Sequence, residues 1–136
     1  MDPAHVGQVE MTSEEPGSPI ESALTGVGSG WHASSPGGQI IRLRFDEPLR
    51  LRRIRVRFDE EDQSRTQEFV LRWSTDQGRS YRDVVRQQFT FSPPGTSWET
   101  EDYTVNVSDV TTLELRIVPD IAGGTAHASL KELRLA

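Results

Sequence analysis

Apolar residues recur at every second position through much of this chain, and a period of two marks a strand with one buried face. Phe69, Leu71 and Trp73 alternate with Glu68, Val70 and Arg72, so the three largest side chains share one face of a central strand. That strand stops at Ser74-Thr75-Asp76-Gln77-Gly78, where Asp bonds the local backbone and Gly supplies the positive φ of a tight reversal. A second strand starts near Tyr81 and continues to Phe91, which makes a hairpin with its heavy side inward. The alternation returns in Ile41, Leu43 and Phe45, and after a turn at Glu47-Pro48 in Ile54, Val56 and Phe58, predicting two half-buried antiparallel strands. Tyr103, Val105 and Val107 form another set, and Leu113, Leu115 and Ile117 a further one, with Ser108-Asp109 as the turn between them. A last strand passes through Ala128, Leu130, Leu133 and Leu135, with a bulge at Lys131-Glu132. Before the first hairpin lie a short strand from Val6 to Met11, one helical turn from Ile20 to Leu24, and Trp31, a core anchor for an otherwise featureless loop. Residues 1–5 are expected to be loose, and 6–136 to form one domain.

About eight short strands with no long helical period predict an all-β fold, an antiparallel jelly-roll β-sandwich. The length of 136 residues suits one such unit. Only 34% of residues are hydrophobic, as expected when each strand buries alternate positions. With no cysteine, neither a disulfide nor a thiolate nucleophile or metal ligand is available. The net charge of −6 disfavours general attraction to nucleic acid. No run resembles a signal peptide or a membrane span, so the expected location is cytoplasmic.

Several stretches, taken in order, resemble the discoidin or coagulation factor 5/8 type C domain, a galactose-binding-like jelly roll whose bacterial members include family 32 carbohydrate-binding modules. They are Thr12-Ser13-Glu14-Glu15-Pro16-Gly17 with Glu21-Ser22-Ala23-Leu24, then Gly30-Trp31-His32-Ala33-Ser34, Ile40 to Pro48, and Glu68-Phe69 to Ser74 with Asp76 and Gly78. Leu115-Arg116-Ile117 and Ala128-Ser129-Leu130-Lys131-Glu132-Leu133 complete the set. The resemblance covers about Val6 to Leu135. It implies a non-catalytic recognition domain with ligand loops at one end, while relatives bind sugars, phospholipids or proteins. Many sugar-binding relatives hold a structural calcium with an Asp-Gly in the loop before the Trp and a Glu near the carboxyl terminus. Here the loop reads Thr25-Gly26 and only Glu132 keeps its place, a degraded site for an ion that wants six to eight oxygens.

For catalysis the inventory is poor. His5, His32 and His127 are the histidines, and no stretch resembles a nucleophile elbow or a zinc-binding helix. The carboxylates of Glu60-Glu61 and Asp59-Asp62 read either as a solvated acidic loop or as an acid–base pair, and the first fits the polar surroundings. Trp98, between Pro93-Pro94-Gly95 and an acidic run, either offers an indole face to a pyranose or folds back over the sandwich edge. The resemblance implies a His and an Arg beside a galactose-like ring, here His32 and Arg65. Alternatively His32 caps its loop and Arg65 pairs with adjacent acids. Arg42, Arg44, Arg53, Arg55 and Arg57 would share one outer surface, either as an anion grip or as cross-strand partners of acids such as Glu114 and Asp46. The expected function is a non-catalytic carbohydrate-binding module taking a saccharide or glycan. The alternative is an intracellular protein-interaction domain with a protein partner.

Overall fold

The computed structural model describes residues 6–136; His5 and the expected loose tail lie outside the described residues. In chain order the elements are β1 (Val6–Met11), α1 (Ile20–Thr25), β2 (Trp31–Pro36), β3 (Gln39–Asp59), β4 (Arg65–Ser74), β5 (Arg82–Phe91), β6 (Trp98–Val118), β7 (His127–Leu130) and β8 (Glu132–Leu135). All strand pairs are antiparallel. The principal order is β1-β3-β6-β4-β5, with β8 also on β3, while β2 and β7 form a separate ribbon.

The two turns expected at Glu47-Pro48 and Ser108-Asp109 are not reversals. β3 and β6 run straight through them, and the register slips at the same place in both, where Leu49 meets Val110. Asp109 takes a left-handed φ of 59° there. Proline and a left-handed Asp break a ladder, and two neighbouring strands that break together bend instead of turning back. The first half of β3 pairs with β1 and the second half of β6 (Ile41 opposite Leu115). Its second half pairs with β8 and the first half of β6 (Val56 opposite Leu133 and Glu101). Both strands thus pass from one layer of the sandwich to the other.

Between the layers, the Phe58 and Phe69 ring centroids stand 5.0 Å apart. Ile41, Leu43, Ile54, Val56, Leu71, Leu113, Leu115 and Ile117 are buried around them, each contributing about 1.5–3 kcal/mol by leaving water. Trp73, expected inward beside Phe69 and Leu71, packs on this core only in part, with the Arg82 guanidinium 5.9 Å from its ring. The β4–β5 hairpin forms as expected. Ser74 donates to Asp76 and Gly78 N–H to Ser74, and Gly78 has φ 85°.

Trp31 begins a strand instead of anchoring a loop. Its ring is fully buried and its indole N–H donates to the Ser13 carbonyl at 3.1 Å. Gly30 lets the ribbon approach. A Cβ there would lie 2.5 Å from the Leu130 carbonyl oxygen. The irregularity at Lys131-Glu132 is a change of sheet, β7 pairing with β2 and β8 with β3.

That layer crossing also separates the arginines. Arg42 and Arg44 lie outside one layer, bonded to Glu114 and Glu10 at 2.8 Å each. Arg53, Arg55 and Arg57 lie outside the other, paired with Asp102, Glu132 and Asp59. The single five-arginine surface therefore does not form, and the cross-strand pairing does.

Candidate functional site

Connecting segments at one rim enclose an open recess of about 480 Å³. One wall is the ribbon, where His32 lies opposite Ser129 and His127 follows on the same strand as Ser129. The other is the acidic connection from β3 to β4, Asp59 through Gln63. Its shape is fixed by backbone bonds: Glu60 N–H donates to the Ser97 carbonyl at 2.8 Å and Asp62 N–H to Glu60 Oε2 at 3.0 Å. His127 Nδ1–H donates to the Ala33 carbonyl at 2.9 Å, and His32 Nδ1 meets Ser18 Oγ at 3.1 Å. Each bond sets a ring's orientation and leaves Nε2 available.

Of the residues expected at a ligand site, His32 and Arg65 line this recess together. Arg65 is not free to meet a ligand. Its side chain is 1% exposed, with Nε on Glu60 Oε1 at 2.6 Å. Nη1 donates to the Pro119 carbonyl at 2.6 Å and Gln67 Oε1 at 3.2 Å, and the guanidinium lies 4.9 Å from the Phe91 ring. The strand parity that buries Phe69 and Leu71 also turns Arg65 and Gln67 inward, so a planar fork with several acceptors is the cation that fits. Burial alone would push the Glu60 carboxyl up, but the Arg65 hydrogen bond and charge and the Asp62 N–H outweigh it and hold the group below the usual range. Trp98 stands outside the recess as the first residue of β6, directly opposite Asp59, which does line it. It is 54% exposed, and the Arg57 guanidinium lies 5.5 Å from its ring. It is therefore an open indole face on a strand and not a loop lid.

The calcium locus implied by resemblance does not fit that ion. Thr25 Oγ1 donates to the Glu21 carbonyl at 2.9 Å, closing α1. Glu132 Oε1 is taken by Arg134 at 3.0 Å and Arg55 at 3.9 Å, while the Lys131 ammonium donates to the Gly28 carbonyl at 2.6 Å. Arg134 Nη2 also lies 2.9 Å from the position a Gly26 Cβ would take. A locus with three fixed cations and one carboxylate is the reverse of what calcium requires. Among the described residues no three His, Asp or Glu side chains are placed to hold a metal ion.

A buried carboxyl pushed upward by its surroundings lies elsewhere. Glu99, 2% exposed, turns inward opposite Phe58, and Oε1 has no hydrogen-bond partner among the described residues. Gln87 Nε2 reaches Oε2 at 3.4 Å, and the Tyr103 hydroxyl donates to Gln87. Burial, reinforced by the neighbouring Glu101 charge, pushes the Glu99 carboxyl up to about 7. The period-two run Glu99, Glu101, Tyr103, Val105, Val107 carries this placement, in phase with an inward face.

No family profile matches the sequence, and no curated protein matches it. Solved structures do. The family 32 carbohydrate-binding module of AlyQ, in complex with 4,5-unsaturated mannuronic acid, aligns with TM-score 0.70 at 15% identity over 96% of this chain and 95% of that one. The family 32 module of Clostridium perfringens NanJ, in complex with galactose, aligns with TM-score 0.66 at 14% identity over 94% and 91%. The N-terminal domain of the single-strand break repair protein XRCC1 aligns with TM-score 0.69 at 13% identity over 96% of each chain. This chain has the discoidin-type, galactose-binding-like β-sandwich fold.

Proposed function

We propose that this chain is a non-catalytic carbohydrate-binding module whose saccharide sits in the rim recess between His32, His127 and the Asp59–Asp62 loop. The observation that carries the reading is an open recess of about 480 Å³ lined by oriented polar groups, at the loop end of a fold shared with carbohydrate-binding modules. Its size falls within the range of small-ligand sites. Ring nitrogens, carboxylates and the Ser129 hydroxyl suit sugar hydroxyls. Trp98, one cross-strand step away, supplies a stacking face for a second ring of a longer glycan. No reaction step is assigned, since among the described residues no carboxylate is hydrogen-bonded to the His32 ring that meets Ser18, which the nucleophile–base–orienter arrangement needs.

Binding is expected to be weak, because few side chains converge and water competes for each hydroxyl. Titrating the chain with a glycan panel by NMR tests the reading: shifts at His32, His127 and Ser129 support it, and a panel that moves no resonance removes it. Trp98→Ala should weaken a disaccharide several-fold more than a monosaccharide, without unfolding the chain. The second reading, a protein-interaction domain, is favoured by the repair-protein domain of the same fold; a blank panel with a stoichiometric protein partner would select it.

A further inference from the structure

We infer that the recess selects its saccharide by charge, admitting neutral and amino-substituted sugars and rejecting uronates and sulfated sugars. This rests on the carbohydrate reading above and concerns the same recess. Of the two fixed cations that line it, Arg65 is fully committed and Lys131 spends one donor on a backbone carbonyl. Arg65 is buried against Glu60, Gln67 and the Pro119 carbonyl, and the Lys131 ammonium is held by the Gly28 carbonyl. Arg65 therefore offers no forked contact to a carboxylate or sulfate, and the single Lys131 charge is outnumbered by the carboxylates of Asp59, Glu60, Glu61 and Asp62 that line the same recess.

The acids divide differently. Asp59 is paired with Arg57 and Glu60 with Arg65. Glu61 and Asp62 are exposed at the recess, and neither carboxylate has a hydrogen bond or ion pair among the described residues. His127, donating through Nδ1 to Ala33, presents an acceptor at Nε2 when neutral. Two free carboxylates and an imidazole acceptor therefore favour a ligand rich in donors. Sugar hydroxyls meet that need, and a protonated amino group meets it better. A carboxylate about 4 Å from either acid would face repulsion of about 1 kcal/mol in a water-like medium, about fivefold in affinity for each acid.

The test is NMR titration of the full chain with glucosamine hydrochloride, galactose and sodium galacturonate near pH 7.2, where an ordinary imidazole is mostly neutral, at low salt, repeated with Glu61→Gln/Asp62→Asn. The expected order is amino sugar over neutral sugar over uronate, spanning at least tenfold, and the double variant should compress it to within about twofold. Both positions are exposed, and an unchanged melting temperature would verify that the variant keeps its fold. Uronate binding as tightly as galactose, or an order that survives the double substitution, overturns the charge inference and leaves the sugar reading standing. A set in which no saccharide shifts any resonance removes the sugar reading, and this inference with it.

Discussion

Replacing Glu99 by Gln should stabilise the chain above neutral pH and leave it unchanged in acid. The carboxyl is buried, its Oε1 lacks a partner among the described residues, and burial with the Glu101 charge raises it from 4.5 to about 7. Stability changes with pH according to how many more protons one state holds than the other. Below about pH 4.5 both folded and unfolded chains carry the proton, and this group costs nothing. As pH rises from there towards 7 the unfolded chain releases its proton first, so stability falls through that interval and levels off above it. At about 1.36 kcal/mol per pH unit, the shift is worth about 3 kcal/mol at most. Glutamine keeps the shape, is neutral at every pH, and gives Glu101 an amide donor. Urea unfolding at intervals from pH 4 to 8.5 is the assay. Wild type should lose stability relative to Glu99→Gln through the window from 4.5 to 7, with the variant ahead by 2–3 kcal/mol above it (about the upper limit set by the shift). Parallel curves across that window would show that Glu99 ionises freely in the folded chain, and would refute the buried, unpaired placement.

Arg65→Met should cost about 3 kcal/mol or more in urea unfolding, because it strands Glu60 and two buried acceptors, and Arg65→Lys should recover only part of it. Millimolar calcium or EDTA should leave the melting temperature unchanged, since a specifically bound ion would raise it. Lys131→Ala should lower stability by about 1 kcal/mol without creating calcium dependence; a calcium-induced rise in either protein would contradict the tethered-cation account. Gly30→Ala should destabilise by more than about 2 kcal/mol, from the left-handed backbone and the collision with Leu130 together, measured as a lower unfolding midpoint.

Strand existence and facing were legible wherever alternation was strict, as at Ile41 and Leu43 or at Phe69 and Leu71, because period two and burial are the same fact seen twice. Bends were not: Pro48 and Asp109 carry turn chemistry, and only knowledge that they sit opposite one another reveals a shared kink. Trp31 was legible as core from its size, whereas Trp98 left two readings open, a stacking face or a fold back over the sandwich edge, because its own loop and acidic run do not say which way the ring turns. The β2–β7 ribbon escaped notice because His32 to Pro36 has no apolar alternation beyond Ala33, and with it went the role of His127, which depends on a partner 94 positions away. Arg65 carried two readings, a ligand contact or a partner of adjacent acids, and the sequence could not choose, because an inward arginine looks like an outward one until Glu60, Gln67 and Pro119 are known to converge on it.

Since β3 and β6 belong to both layers, neither layer can peel away while the other stays intact, and opening there must involve most of the molecule at once. The ribbon pairs only with itself but is anchored by Trp31, Ala33, Ala128 and Leu130, all buried in the core, whereas Glu61, Asp62 and Gln63 on the opposite wall are exposed, so we expect the loop to yield first. The proposed ligand would therefore be held between a stiff jaw, the core-anchored ribbon, and a softer one, the acidic loop, able to adjust to rings of different size.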